Sequence, residues 1–291
     1  MSILVDQNTK IICQGSFKSK DVYYIKQCIE HGTHIAALVL PNKNHSLQTT
    51  LPVFTQVKEA VKETQANTAV ISLPPSQCKD IIIESLEANL KLIVCLTSNV
   101  PRHDMLQIKS FLKFFDAYLI GPNSPGIISP GKGKIGFIAV DIHQMGDIGI
   151  VSRSRTLMYE LTAQMTQLGF GQSTCIGIGS DAIAGTSFID ILKLFEKDSQ
   201  TKNILLIGEI GHCDEEETAE FIKHHVTKPV IAYIAGLSAP ERTHLKHLNS
   251  FVVNKERAKK FVGALKNAGV KVVTTPSELT GILLEMKSGK K

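Results

Sequence analysis

The 291-residue sequence contains no tryptophan, and aromatic residues make up only 6% of it. It has no basic run interleaved with aromatics, the footprint by which nucleic-acid binders stack bases and hold phosphates, so no nucleic acid is expected as a partner. No apolar stretch approaches the roughly 20 residues that a bilayer-crossing helix needs, and no membrane span is expected. Residues 1–10 lack a basic start, an apolar stretch and a small-residue cleavage site, and are not Arg- and Ser-rich, so neither a secretory signal nor a transit peptide is expected. Cysteines stand at 13, 28, 78, 95, 175 and 213, none at Cys-X-X-Cys spacing. Most sit in apolar runs such as Ile11-Ile12-Cys13, which fits free buried thiols in a reducing cytoplasm rather than disulfides or zinc. No metal site is expected.

A hydrophobic content of 43% with 20% charged residues excludes a disordered or fibrous chain, and the net charge of +5 suits an anionic small ligand. Short β-rich runs at 11–13, 34–39, 69–72, 92–96 and 117–120 alternate with amphipathic stretches at 22–31, 57–64, 77–89 and 104–115, whose apolar residues recur every three or four positions. This rhythm predicts a parallel sheet covered by helices. It breaks at Gly121-Pro122-Asn123-Ser124-Pro125-Gly126 and Pro130-Gly131-Lys132-Gly133, which are turn chemistry. It resumes with strands at 149–152, 173–178, 203–207, 229–234 and 271–273, and helices at 156–168, 187–196, 215–225, 255–268 and 276–286. The expectation is two doubly wound α/β domains: residues 1–125, a linker at 126–148, and residues 149–291. Ligands of such sheets lie beyond the carboxyl ends of the strands, so those loops carry the candidates.

Gly15-Ser16-Phe17-Lys18-Ser19-Lys20 joins the first strand to the first helix, where phosphates rest on free helix N–H groups. Only Gly15 of a three-glycine dinucleotide fingerprint is present, with Lys18 and Lys20 offering charge instead; an ordinary solvated loop is the competing reading. Lys43 follows the second strand; taken alone it reads as solvated surface, and a cation there could also reach the same ligand. Ser152-Arg153-Ser154-Arg155-Thr156 opens a helix; its hydroxyls are N-caps by default, and the helix start is also a place for phosphate. Glu209 ends a very apolar strand, placed either to orient a histidine or as a surface turn acid. His244 and His247 lie three apart in a late loop with no nearby third ligand for a metal.

In order along nearly the whole chain, Ile120-Gly121-Pro122-Asn123-Ser124-Pro125-Gly126, Val151-Ser152-Arg153-Ser154, Gly169-Phe170-Gly171-Gln172-Ser173-Thr174-Cys175, Phe188-Ile189-Asp190-Ile191-Leu192 and Ile207-Gly208-Glu209-Ile210-Gly211 resemble the alpha subunit of succinyl-CoA synthetase (succinate–CoA ligase). The resemblance implies an N-terminal Rossmann-like CoA-binding domain and a C-terminal flavodoxin-like succinyl-CoA synthetase domain. It implies a beta partner whose ATP-grasp site binds NTP and Mg²⁺, in a heteromer that acts on a succinate-like acid, with coenzyme A as the bound cofactor. It assigns His247 as the phosphohistidine and Glu209 as its orienting acid, with Ser154, Arg155 and Thr156 at the phosphate. Gly15, Phe17, Lys18, Ser19, Lys20, Lys43, Leu96, Thr97 and Ser98 fall where CoA is held, and Tyr159, Asn123 and Ser124 fall at the substrate.

Departures from the family pattern cluster in the loops. Lys18 and Asp21 stand where glycines are expected. Arg155 replaces the glycine after Ser-Arg-Ser, and Lys246-His247-Leu248-Asn249-Ser250 replaces Gly-His-Ala-Gly-Ala. Ser98-Asn99 replaces an acid–glycine pair, Ser124 a cysteine, and Ser180 and Ala182 a glycine and a proline. The implied activity is therefore an acid–CoA ligase working through His247. The alternatives are a catalytically degenerate paralogue that serves as a binding or regulatory subunit, or a ligase for another carboxylic acid.

Overall fold

The computed structural model describes residues 2–15, 19–40, 49–209, 215–237 and 255–288. The first sheet contains β1 (Lys10–Gly15), β2 (His34–Val39), β3 (Val53–Phe54), β4 (Thr68–Ser72), β5 (Leu92–Cys95) and β6 (Tyr118–Ile120). Its order is β3-β2-β1-β4-β5-β6, and every pair is parallel. The covering helices are α1 (Ser19–Glu30), α2 (Val57–Thr64), α3 (Cys78–Glu87) and α4 (Arg102–Leu112). The order reverses between β1 and β4, which opens a crevice beyond Gly15, as a Rossmann-like sheet requires. Strands covered on both faces read as continuous apolar runs, and Ile11, Ile12, Ile93 and Val94 are all fully buried.

The second sheet contains β7 (Gly126–Ser129), β8 (Gly133–Gly136), β9 (Met145–Ser152), β10 (Gln172–Gly177), β11 (Asn203–Glu209), β12 (Val230–Ala235) and β13 (Lys271–Val273). Its order is β13-β12-β11-β9-β10-β7-β8. The run from β10 to β13 is parallel and has the flavodoxin-like arrangement, with its switch point between β9 and β11. The helices are α5 (Arg155–Gln167), α6 (Phe188–Lys197), α7 (Glu215–His225), α8 (Lys255–Asn267) and α9 (Pro276–Lys287). Ser187 caps α6 in a box with Asp190, and Thr275 caps α9 in a box with Glu278.

The segment expected as a linker, residues 126–148, is instead part of this sheet. β7 and β8 form an antiparallel hairpin on the edge of β10, and β9 begins at Met145. The first half of the chain lies against that hairpin. The Thr33 hydroxyl donates to Lys134 O at 2.8 Å and accepts from Lys134 N at 3.0 Å. Lys134 itself is 1% exposed.

α6 packs closely on β9 at Gly149. Gly149 has no side chain because the Phe195 ring occupies that place: a Cβ built there comes within 2.6 Å of it. Phe195 is fully buried. Phe195→Ala is expected to lower stability by about 3–5 kcal/mol, the cost of an emptied aromatic site; urea unfolding monitored by circular dichroism measures it.

Candidate active site

At the switch point of the second sheet, Ser152 at the end of β9 pairs with Ile207 of β11, two residues before Glu209. The Ser152 hydroxyl folds the following turn onto itself: it accepts from Ser154 N at 3.0 Å and donates to Ser154 O at 2.8 Å. Arg153 N donates across to Ile207 O at 3.2 Å. This turn delivers Ser154 to the start of α5 in an extended conformation, with its side chain making no cap bond. The default N-cap role is thus not taken. The Ser154 hydroxyl lies instead near the Glu209 carboxyl, whose pKa it pulls down. The first-turn N–H groups of α5 consequently have no capping side chain among the described residues, and they carry the positive end of the helix dipole.

Burial pushes the Glu209 carboxyl above the usual carboxylate range, against the pull of the Ser154 hydroxyl and the Arg153 charge. Its Oε2 is buried and has no hydrogen-bond partner among the described residues. A buried carboxylate oxygen calls for a donor. A histidine N–H is one such donor, and the expected His247 lies outside the described residues, as do Phe17, Lys18 and Lys43.

Arg155, expected beside Ser154 at the phosphate, lies over the Phe137 ring with its guanidinium 5.6 Å from the centroid. Phe137 in turn packs on Tyr24 of α1 at 4.2 Å. Thr156 is exposed at the helix start. The half-buried Tyr159 donates from its hydroxyl to Phe137 O at 3.0 Å, and burial raises its pKa. Phe137, Tyr24, Gln14 and Leu96 line a largely apolar cavity beneath the carboxyl end of β1. Gly15 ends β1, and α1 begins at Ser19 and Lys20, so a helix N-terminus faces the crevice there. Leu96 is buried, whereas Thr97 and Ser98 are partly exposed beyond β5. An apolar cavity beside a helix start fits a ligand with an apolar arm and phosphates, as CoA is.

The loops after β5 and β6 are knit to the second sheet. The Asn123 amide donates to Ser180 Oγ at 2.8 Å and to Asp181 Oδ1 at 3.0 Å, while Asn99 N donates to Asp181 Oδ2 at 2.8 Å. Asp181 is 5% exposed, and burial raises its pKa despite these donors. This acid was not singled out in the sequence; its short place in Gly179-Ser180-Asp181 was the available signal. Asn99 stands at an expected glycine and has φ +61°, so it keeps the left-handed backbone that glycine supplies; asparagine tolerates that region better than most residues. Gly121 has φ +109°, and a Cβ there would lie 2.2 Å from Cys95 O. Ser124 is a residue expected at the substrate. It is fully buried, donates to Gly177 O at 2.5 Å and accepts from Gly126 N at 2.8 Å. Its hydroxyl clamps the chain at this turn. Among the described residues no group of three or more His, Cys, Asp or Glu side chains could hold a metal.

Residues 6–99 match the family model described as a CoA binding domain, and residues 151–280 the one described as CoA-ligase. The succinate–CoA ligase (ADP-forming) subunit alpha of Aquifex aeolicus is 43% identical over 282 residues, covering 96% of this chain and 92% of that protein. Subunit alpha 2 of the same ligase from Archaeoglobus fulgidus is 42% identical over 287 residues, covering 98% of this chain and 100% of that protein. ATP citrate lyase from Methanothrix soehngenii, solved with citrate and coenzyme A, superposes with a TM-score of 0.86 at 20% identity. That match covers 99% of this chain and 52% of the lyase chain, so this chain spans about half of it, and at this identity the likeness is one of fold alone.

Because the Glu209 carboxyl is raised, the fold favours its protonated form. That contribution is fully present below the unfolded-state pKa of about 4.3 and is lost as pH rises through the raised folded value. Glu209→Gln, a neutral mimic, is therefore expected to raise the Tm at pH 8, with the gain shrinking toward pH 4. Thermal unfolding of both forms across that range checks the sign.

Proposed function

We propose, for a chain that belongs to the succinate–CoA ligase alpha-subunit family, that it is the alpha subunit of a ligase converting a succinate-like acid, CoA and NTP into acyl-CoA, NDP and phosphate. The single observation that carries this reading is the pairing of Glu209 with Ser154 at an uncapped helix start on the switch point of the second sheet. A phosphohistidine needs a carboxylate to hold one imidazole N–H and donors to receive the phosphoryl oxygens. Glu209 supplies the first through its Oε2, and the α5 N–H groups with Ser154 and Thr156 supply the second.

His247 is the proposed carrier. NTP and Mg²⁺ are held by a beta partner with an ATP-grasp site, which phosphorylates the imidazole. A carboxylate oxygen of the acid then attacks phosphorus, the N–P bond breaks, and an acyl phosphate forms. The CoA sulfur attacks the acyl carbonyl, loses its proton, and phosphate leaves. Gly15, Phe17, Lys18, Ser19, Lys20, Lys43, Leu96, Thr97 and Ser98 are assigned to CoA, whose apolar arm suits the cavity lined by Leu96 and Phe137. Tyr159 and Asn123 are assigned to the acid. The buried free thiols suit a reducing cytoplasm.

Two features weigh against a catalytically degenerate relative. Arg155 has a seat of its own, with its guanidinium over the Phe137 ring. Asn99 preserves the backbone of the glycine it replaces.

Incubation with a beta partner, labelled NTP and Mg²⁺ is expected to give base-stable, acid-labile label on the wild-type chain and none on His247→Ala. Ser154→Ala is expected to slow labelling by about 10²-fold, the scale of losing one charge-stabilising donor. An unlabelled wild type, or an equally labelled His247→Ala, defeats the reading.

A further inference from the structure

Two thiols meet beneath the turn assigned above to CoA. Cys78 is the first residue of α3, and Cys95 is the last of β5. Both are fully buried and free. Cys78 Sγ lies 3.8 Å from Leu73 O and 3.6 Å from Pro74 O. Cys95 Sγ lies 3.9 Å from Thr97 O. The Thr97 hydroxyl closes the cluster by donating to the same Leu73 O at 2.7 Å. Leu73 O and the Thr97 residue thus join the two sulfurs, which are held by different elements, into one buried cluster. The cluster is one residue below the surface, since Pro74 is exposed and Thr97 half-buried.

We propose that Cys78 and Cys95 are a modification site: a thiol pair that closes into a reversible intramolecular disulfide, with a small peroxide as oxidant. Cys78 sulfur attacks a peroxide oxygen, the O–O bond breaks, and Cys78 sulfenic acid and one water form. Cys95 sulfur then attacks Cys78 Sγ, expelling the hydroxyl as a second water with the Cys95 proton. Two thiols are oxidised and one peroxide is reduced. The roles follow from the asymmetry of the pair. The neighbouring Cys95 thiol holds the Cys78 thiol below the ordinary thiol range, and the same neighbour together with burial pushes Cys95 up. Closure draws Cys78 away from Leu73 O and Pro74 O, and Cys95 away from Thr97 O. The turn at Leu96, Thr97 and Ser98 loses the anchors it shares with the pair. The expected weakening of CoA binding is the one step that rests on the CoA reading given above.

The test treats the folded full-length chain with hydrogen peroxide, then measures intact mass and maps peptides without reduction. The expected result is a loss of two hydrogens and a single cross-link joining Cys78 to Cys95, reversed by dithiothreitol. The link is absent from Cys78→Ser and from Cys95→Ser, and retained in Cys175→Ser. The wild-type map stands alone if a serine variant does not fold. A different pairing, sulfinic acid without the link, or a link only in urea overturns the proposal. Calorimetric titration with CoA is expected to show weaker binding to the oxidised chain than to the reduced one. Equal affinities overturn the coupling to the turn. Failure of the reduced chain to bind CoA defeats the CoA assignment instead, a result the peptide map does not depend on.

Discussion

The Asp181 carboxylate accepts from the Asn99 backbone at 2.8 Å and from the Asn123 amide at 3.0 Å, and so joins a loop of the second sheet to two loops of the first. The rest of the site depends on this junction. Asn123 N also donates to Thr97 O at 2.7 Å, and Gly185 N to Gly121 O at 2.8 Å, so the carboxyl ends of both sheets are held side by side. A buried acid between two amide donors is costly to leave unpaired. That cost fixes the two crevices relative to each other, and it sets the cavity below β1 on the same side of the molecule as the start of α5.

Most of the architecture was legible as rhythm. The strand at His34–Val39 and the helices at Val57–Thr64 and Glu215–His225 have the bounds that apolar periodicity alone suggests. β7 and β8 were not legible. Each is four residues long and begins with glycine, and prolines flank β7, so the local chemistry reads as turn; pairing of β7 with β10 and of β8 with β7 makes them strands. The two-residue β3 is too short to have any period. The early start of β9 was hidden because Met145-Gly146-Asp147 contains no strong strand former.

At the site, Glu209 and Ser154 could be named from motif and position, but their nearness to each other could not. It follows from β9 and β11 being neighbours, and from the Ser152 hydroxyl turning Ser154 away from its own helix. Local preference favours the cap; the tertiary partner wins. The same holds for Ser124, whose hydroxyl serves Gly177 and Gly126, and for Arg155, whose aromatic seat on Phe137 comes from a distant segment. Asn99 is the opposite case: asparagine in place of a glycine already signals a left-handed turn, and φ +61° is what the chain adopts.

The Thr33 hydroxyl against Lys134 has a meaning beyond local packing. β8 is the last strand of its sheet, and an end strand ordinarily offers its free N–H and C=O groups to any extended chain that meets it. Here the Lys134 amide and carbonyl on that border are both taken by one threonine from the other half of the chain, and the Cys28 thiol lies 4.0 Å from Gly136 O further along. The border is thereby sealed from within, and a copy of the protein in a crowded solution finds no template there on which to add a strand.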